Sequence, residues 1–291
     1  MKKLLFLTTL VLTSLTTFAQ GNNDKLPDGI MSLEWRYNPF DYEGKPVNMA
    51  QFYGRLFLNN KSVVRLGVGV GFDRDKQEGS WNKNTSSVNA NYYDIEHMDS
   101  IKESNELTLK LSVGYEYHFA NTGRLDFYAG VEGGFLGKFC SGNYAKTEKN
   151  TNVTVSSGTK STVDNVNYIN RDYSKMTPDN KLNEMGLFAT VFTGVDFFVY
   201  KGLYLGAELG ITFNTGSKKN GNYTQETIEQ IVVGSSVTKH ITSKYSTDSG
   251  NTVTTDHINK TTTTVPSYVR EHTGSYTKVY FEPVLRLGWM F

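Results

Sequence analysis

The chain is poor in several things a secreted or membrane protein usually leans on. It has one cysteine, Cys140, and six prolines in 291 residues. A single thiol closes no internal disulfide, so stability outside the cytoplasm must come from the fold, and Cys140 reads as a half-buried, inert thiol. Charge of one sign is lacking too: 30 Lys and Arg against 29 Asp and Glu leave a formal net charge of +1, which removes the electrostatic basis for binding nucleic acid. Beyond the first twenty residues no apolar run approaches the ~20 residues of a membrane helix. What is plentiful is aromatic residues, at 13%, and glycine, at 27 residues. A polar average rich in Tyr, Phe and Gly suits a chain whose apolar residues alternate with polar ones.

The first segment addresses the chain. Lys2 and Lys3 precede an apolar stretch from Leu4 to Leu15, and Thr17-Phe18-Ala19 places small residues at the −3 and −1 positions. This is the layout of a cleavable secretory signal over 1–19, too short for a spanning helix. Residues 20–291 are then the mature domain, and no cysteine near the junction offers a lipid anchor.

Period-two alternation recurs eight times. Met31, Leu33, Trp35 and Tyr37 oppose Ser32, Glu34 and Arg36; Ala50, Phe52, Leu56 and Leu58 oppose Gln51, Tyr53 and Arg55. Val64 to Phe72 opposes Arg65, three glycines and Asp73, and Leu107 to Phe119 opposes Lys110, Glu116 and His118. The other four start near Leu125, Glu184, Gly202 and Lys278, with Asp126, Glu132, Asp196, Glu208, Lys278, Glu282 and Arg286 on their polar phases. Alternation of this length means strands with one apolar and one polar face.

The connections discriminate further. Asn59-Asn60-Lys61-Ser62, Ala120-Asn121-Thr122-Gly123 and Tyr200-Lys201-Gly202 are tight hairpin turns, while roughly 40–46, 74–105, 138–183 and 215–275 connect the other ends, three of them at length. Short and long connections alternate, as they do between the periplasmic and outer ends of an outer-membrane barrel. Trp35, Tyr37, Phe72, Phe135 and Phe213 fall near the expected outer ends, and Phe119, Phe127, Phe197 and Trp289 near the inner ends, like two interfacial girdles. A soluble sandwich or lipocalin-type barrel also alternates, but it turns its apolar face to a core. The sequence therefore reads as all-β: a transmembrane antiparallel up-and-down β-barrel of eight strands, or alternatively ten, with long extracellular loops. Its expected location is the cell outer membrane, among outer-membrane lipids.

The chain stops with Leu285, Leu287, Trp289 and Phe291 in one phase. This resembles the terminal-strand signal that the barrel-assembly machinery reads. The eight-strand pattern over roughly 28–291 resembles the small OmpA/OmpX-like outer-membrane barrels. Nothing follows Phe291, so the resemblance implies a barrel domain without the peptidoglycan-binding domain of OmpA.

Eight strands enclose space that side chains can fill. The inward set expected here is Glu34, Arg36, Arg55, Arg65, Lys110, Glu116, Asp126, Glu132, Asp196, Glu208, Lys278, Glu282 and Arg286. Mixed signs favour a plug of ion pairs, a narrow conducting path being the alternative. Lipid-modifying barrel enzymes pair a His and a Ser two residues apart; here His240 and His272 each precede a serine by three, which puts the two side chains on opposite faces of a strand. No catalytic residue, cofactor or metal site is expected. The expected role is structural, or an interaction with an extracellular ligand or host surface through the long loops and their aromatics Trp81, Tyr92, Tyr93, Tyr168, Tyr173 and Tyr245. A small porin-like channel is the alternative, and a lipid-modifying enzyme a more remote one.

Overall fold

The computed structural model describes residues 29–38, 49–86, 92–156, 159–200, 202–219, 221–247, 249–266 and 274–291. The expected signal segment, the connection 40–46 and His272 lie outside them. Among the described residues the chain forms thirteen strands: β1 (Met31–Tyr37), β2 (Met49–Asn59), β3 (Ser62–Ser86), β4 (Tyr92–Thr122), β5 (Leu125–Ser156), β6 (Thr159–Ser174), β7 (Glu184–Tyr200), β8 (Leu203–Lys218), β9 (Asn222–Val233), β10 (Ser236–Ser246), β11 (Asn251–Asp256), β12 (Thr261–Pro266) and β13 (Gly274–Met290).

Eight of them close a ring. β1 to β5 pair in sequence, the first part of β5 pairs with β7 from Leu125↔Phe197 to Lys138↔Glu184, β7 pairs with β8, and β13 joins β8 back to β1. All these pairings are antiparallel, so this is the eight-stranded up-and-down barrel; the ten-stranded alternative does not occur. The short turns form as their residues demand. Asn59 accepts the amides of Lys61 and Ser62 on its side-chain oxygen, both at 2.9 Å, and Gly123 and Gly202 take φ of +64° and +87°.

Polarity is inverted relative to a soluble fold. Leu111 is 53% exposed and Phe281 68%, while their neighbours Lys110 and Glu282 are buried at 7% and 9%. The outward band ends in Trp35, Tyr37, Phe72 and Phe213 on one side and in Phe119 and Phe197 on the other, all exposed. A soluble barrel would bury such an apolar face; an outward apolar band bounded by aromatics is the pattern of a transmembrane barrel.

The long connections 74–105, 138–183 and 215–275 are largely strand rather than loop. β3 and β4 stay paired from Phe72↔Leu107 out to Ser86↔Tyr93, about 45 Å of strand beyond the aromatic rim. β5 swaps partners from β7 to β6 at Ser141, and β6, β9, β10, β11 and β12 follow edge to edge. The result is an open sheet standing on one side of the mouth. Its strands lack a two-faced hydropathy pattern because both faces meet water. Their backbone pairs with neighbours, and threonines such as Thr261–Thr264 fit extended backbone.

Candidate functional site

The lumen is filled in layers. At the end that carries the short turns Phe57, Val63, Tyr204 and Met290 make an apolar floor, with Ile30 and Phe198 packed against it. Above it Arg55 donates to Glu116 at 2.9 Å from Nε and to Asp196 at 2.9 Å. Arg286 holds Glu34 through Nε at 3.0 Å and Nη2 at 2.6 Å, and also reaches Glu208 at 3.2 Å and the Tyr128 hydroxyl. In the next layer Arg65 reaches Glu208 at 2.8 Å and Glu116 at 3.3 Å, also pairs with Glu132, and lays its guanidinium 3.5 Å over the Phe192 ring. Arg36 pairs with Glu208 and Glu132 and stacks 4.3 Å from the Tyr53 centroid. At the top Lys110 meets Glu282 at 3.3 Å, and Glu282 also accepts the Thr212 hydroxyl at 2.7 Å.

Eleven of the thirteen residues expected inside thus form one connected network: Glu34, Arg36, Arg55, Arg65, Lys110, Glu116, Glu132, Asp196, Glu208, Glu282 and Arg286. Burying one such ion alone costs several kcal/mol; each here meets at least one opposite charge or buried hydroxyl, which offsets that cost. Asp126 is placed inside as expected, but its partner is His118, 2.6 Å from Nδ1 to Oδ2. That imidazole's other nitrogen lies 3.3 Å from both Glu116 and Arg55. Lys278 is half-buried nearer the mouth, with its ammonium 5.5 Å from the Tyr276 ring. Between Arg36, Arg65, Lys110, Glu132 and Glu208 no void of water size remains. A cavity of about 190 Å³ lies above, lined by Thr108, Leu136, Lys138, Glu184, Asn214, Tyr276, Lys278 and Tyr280.

Alternation puts Tyr53, Tyr128 and Tyr204 on the inward phase, where they are buried, but it misses the phenylalanines Phe57, Phe188 and Phe192. Phe57, Tyr53, Tyr128, Phe188, Phe192 and Tyr204 are all buried in the phase that carries the charges. Their sequence signal is the glycines of that same phase. A β-carbon on Gly67 would come within 2.3 Å of Tyr53, and one on Gly288 within 2.1 Å of Tyr204, so glycine opens room for rings to cross the lumen.

The mouth is strapped by 175–183. Met176 bridges Leu182, Thr177 is fully buried, and Lys175 and Asn180 adopt φ near +60° to make the bend. Lys181 donates to Glu106 at 2.6 Å, Lys102 pairs with Asp179, and the Cys140 amide donates to the Asn183 side chain at 2.6 Å. Cys140 is buried rather than half-buried, and burial pushes its thiol up to about 11.

Above the mouth, the sheet face continuous with the lumen carries a row of rings. Tyr173 and Tyr223, cross-strand partners, lie 5.6 Å apart, and Tyr223 and Tyr245 lie 5.4 Å apart. Beside them Arg171 bonds Gln225 at 2.6 Å and sits 5.7 Å over Tyr144. Trp81 is exposed, Tyr168 stands on the opposite face, and the side chains of Tyr92 and Tyr93 lie outside the described residues. Of the terminal-strand residues, Leu285 and Leu287 face outward, Trp289 shares their phase, and the Phe291 amide donates to the Met31 carbonyl at 2.9 Å. Among the described residues no cluster of three or more His, Cys, Asp or Glu is arranged to cage a metal.

A family model described as OmpA-OmpF-like porin matches residues 41–230, from before β2 into β9. No curated protein matches the chain. More than half of the chain lies inside that match, and the closed, inverted eight-strand ring has the architecture it implies: the chain belongs to the OmpA-OmpF-like porin family of outer-membrane β-barrel proteins.

Proposed function

We propose that the protein works at the cell outer membrane as a structural and surface-interaction component, not as an enzyme. The observation that carries this reading is a lumen closed by ion pairs and aromatic rings beneath a tall extracellular sheet. A filled barrel has little to transport, whereas a sheet exposing Tyr, Arg, Gln and Asn side chains on a rigid base suits recognition of an extracellular ligand or host surface. The exposed apolar band supports outer-membrane lipids as its surroundings, and Leu285, Leu287, Trp289 and Phe291 support recognition by the barrel-assembly machinery.

The fold provides a clean test. Lys218 pairs directly with Gly274, so 220–273 can be replaced by a short turn without touching the ring. Cells displaying the full chain should adhere to an array of immobilised glycans and matrix proteins, and cells displaying the shortened barrel should not. Equal adhesion of the two would remove β9 to β12 from the role. The second reading, a small passive channel, is favoured by the family description and by the 190 Å³ cavity at the mouth. Steady single-channel conductance of the parent in a planar bilayer would support it over the first.

A further inference from the structure

The extracellular sheet brings together two histidines that are seventeen residues apart in sequence. β10 and β11 form a hairpin in which Ile241 faces Asp256, so the next pair in register is His240 with His257. The His257 amide donates to the His240 carbonyl at 2.9 Å, and the two rings lie with centroids 4.4 Å apart and planes tilted by 35°. The Thr242 hydroxyl, on the same face of β10, lies 2.9 Å from His257 Nε2 and holds that ring in place. His257 is exposed and His240 half-buried, so the pair is open to solvent.

We propose that His240 and His257 form a cross-strand binding site for a borderline divalent transition metal ion such as Zn²⁺ or Ni²⁺. Imidazole nitrogen is a favoured ligand for these ions, at about 2.0–2.1 Å. Two nitrogens around one such ion stand roughly 3 Å apart, a separation that rings at 4.4 Å can present with only a change of side-chain torsion. Two protein ligands leave the remaining positions to water, so the site binds and cross-links rather than cages its metal. The neighbours on that face fit this role. Gln230, Thr242 and Thr255 are neutral, and Asp256 is turned away to cap its own turn through the amides of Ile258 and Asn259. Such a set selects against Mg²⁺ and Ca²⁺, which need several oxygen ligands. The bound ion would tie β10 to β11 and stiffen the free end of the sheet. Sequence spacing alone does not reveal the pair, because only the hairpin register makes the two histidines neighbours.

Isothermal titration of the full-length protein in detergent micelles with ZnCl₂ and NiCl₂ tests the site. One binding event is expected with each metal and none with MgCl₂ or CaCl₂. Second-shell partners of metals typically matter about 10–100-fold, so loss of a ligand in His240→Ala or His257→Ala should weaken affinity by at least that much. His97→Ala, on a different hairpin, should leave it unchanged. The two site variants lie outside the ring and should keep the parent's heat-dependent gel mobility, which separates loss of the site from misfolding. Parent-like affinity in either site variant, no heat from Zn²⁺ and Ni²⁺, or an equal response to Ca²⁺ would overturn the proposal.

Discussion

The top layer of the plug lets one ion pair be taken apart almost in isolation. Lys110 is 7% exposed, with its ammonium 3.3 Å from Glu282, 3.9 Å from Glu132 and 4.7 Å from the Phe188 ring. Glu132 keeps Arg36, Arg65 and the Tyr53 hydroxyl when Lys110 is removed. Glu282 keeps the hydroxyl of Thr212 but loses the ammonium closest to it. Lys110→Met therefore strands one buried carboxylate, and breaking such a pair costs about 3–5 kcal/mol. Adding Glu282→Gln removes the stranded charge while still accepting from Thr212, and replacing both ions of a buried pair by neutral groups is close to neutral. The double variant should then recover most of the loss. Equilibrium unfolding in urea, followed by tryptophan fluorescence in lipid or detergent, measures all four proteins. Additive effects of the two substitutions would refute the ion-pair account of the plug, because they would show that the two side chains do not sense each other.

Leu111, one residue on and 53% exposed, faces the opposite medium, so Leu111→Arg should cost about 2–4 kcal/mol in a lipid bilayer. No loss in bilayer refolding experiments would deny that this face meets lipid. Surface labelling of intact cells should reach a cysteine placed at Asn259 but not one at Asn60, and the reverse would invert the barrel. The mouth strap should respond to acid. Burial alone would raise the Glu106 carboxyl, but hydrogen bonds from Lys138 and Lys181 hold it below its ordinary 4.5. A lowered value means its contribution is complete above that ordinary value and is lost as pH falls through the lowered one. Limited proteolysis within 175–183 should therefore rise only below that point, and Lys181→Ala should raise cleavage at neutral pH and flatten the dependence.

Much of this protein was written in its alternation. A membrane barrel needs apolar side chains outside and polar ones inside on every strand, so period two, with turns that alternate short and long, located all eight ring strands and the inward charges from Glu34 to Arg286. The same logic could not see above the membrane. Where β3, β4 and β5 leave the lipid band both faces meet water, selection for two-faced hydropathy ends, and a sheet composed of Thr, Asn, Lys and Tyr looks like loop. Nor could alternation choose partners. It placed Arg55 and Asp126 on inward faces, but which carboxylate each cation meets depends on strand stagger around a closed ring. Only that closure brings Arg36 to Glu208, whereas Asp126 meets His118, eight residues away, through the register of the β4–β5 hairpin. The glycines beside the charges were legible as residues but not as room for tyrosine rings, and His240 and His257 became neighbours only through a hairpin register. Sequence by itself determined which face each ring side chain takes, because the bilayer enforces that one residue at a time. Tertiary structure decided what those side chains touch, because contacts across a lumen or a sheet are set by geometry between strands far apart in the chain.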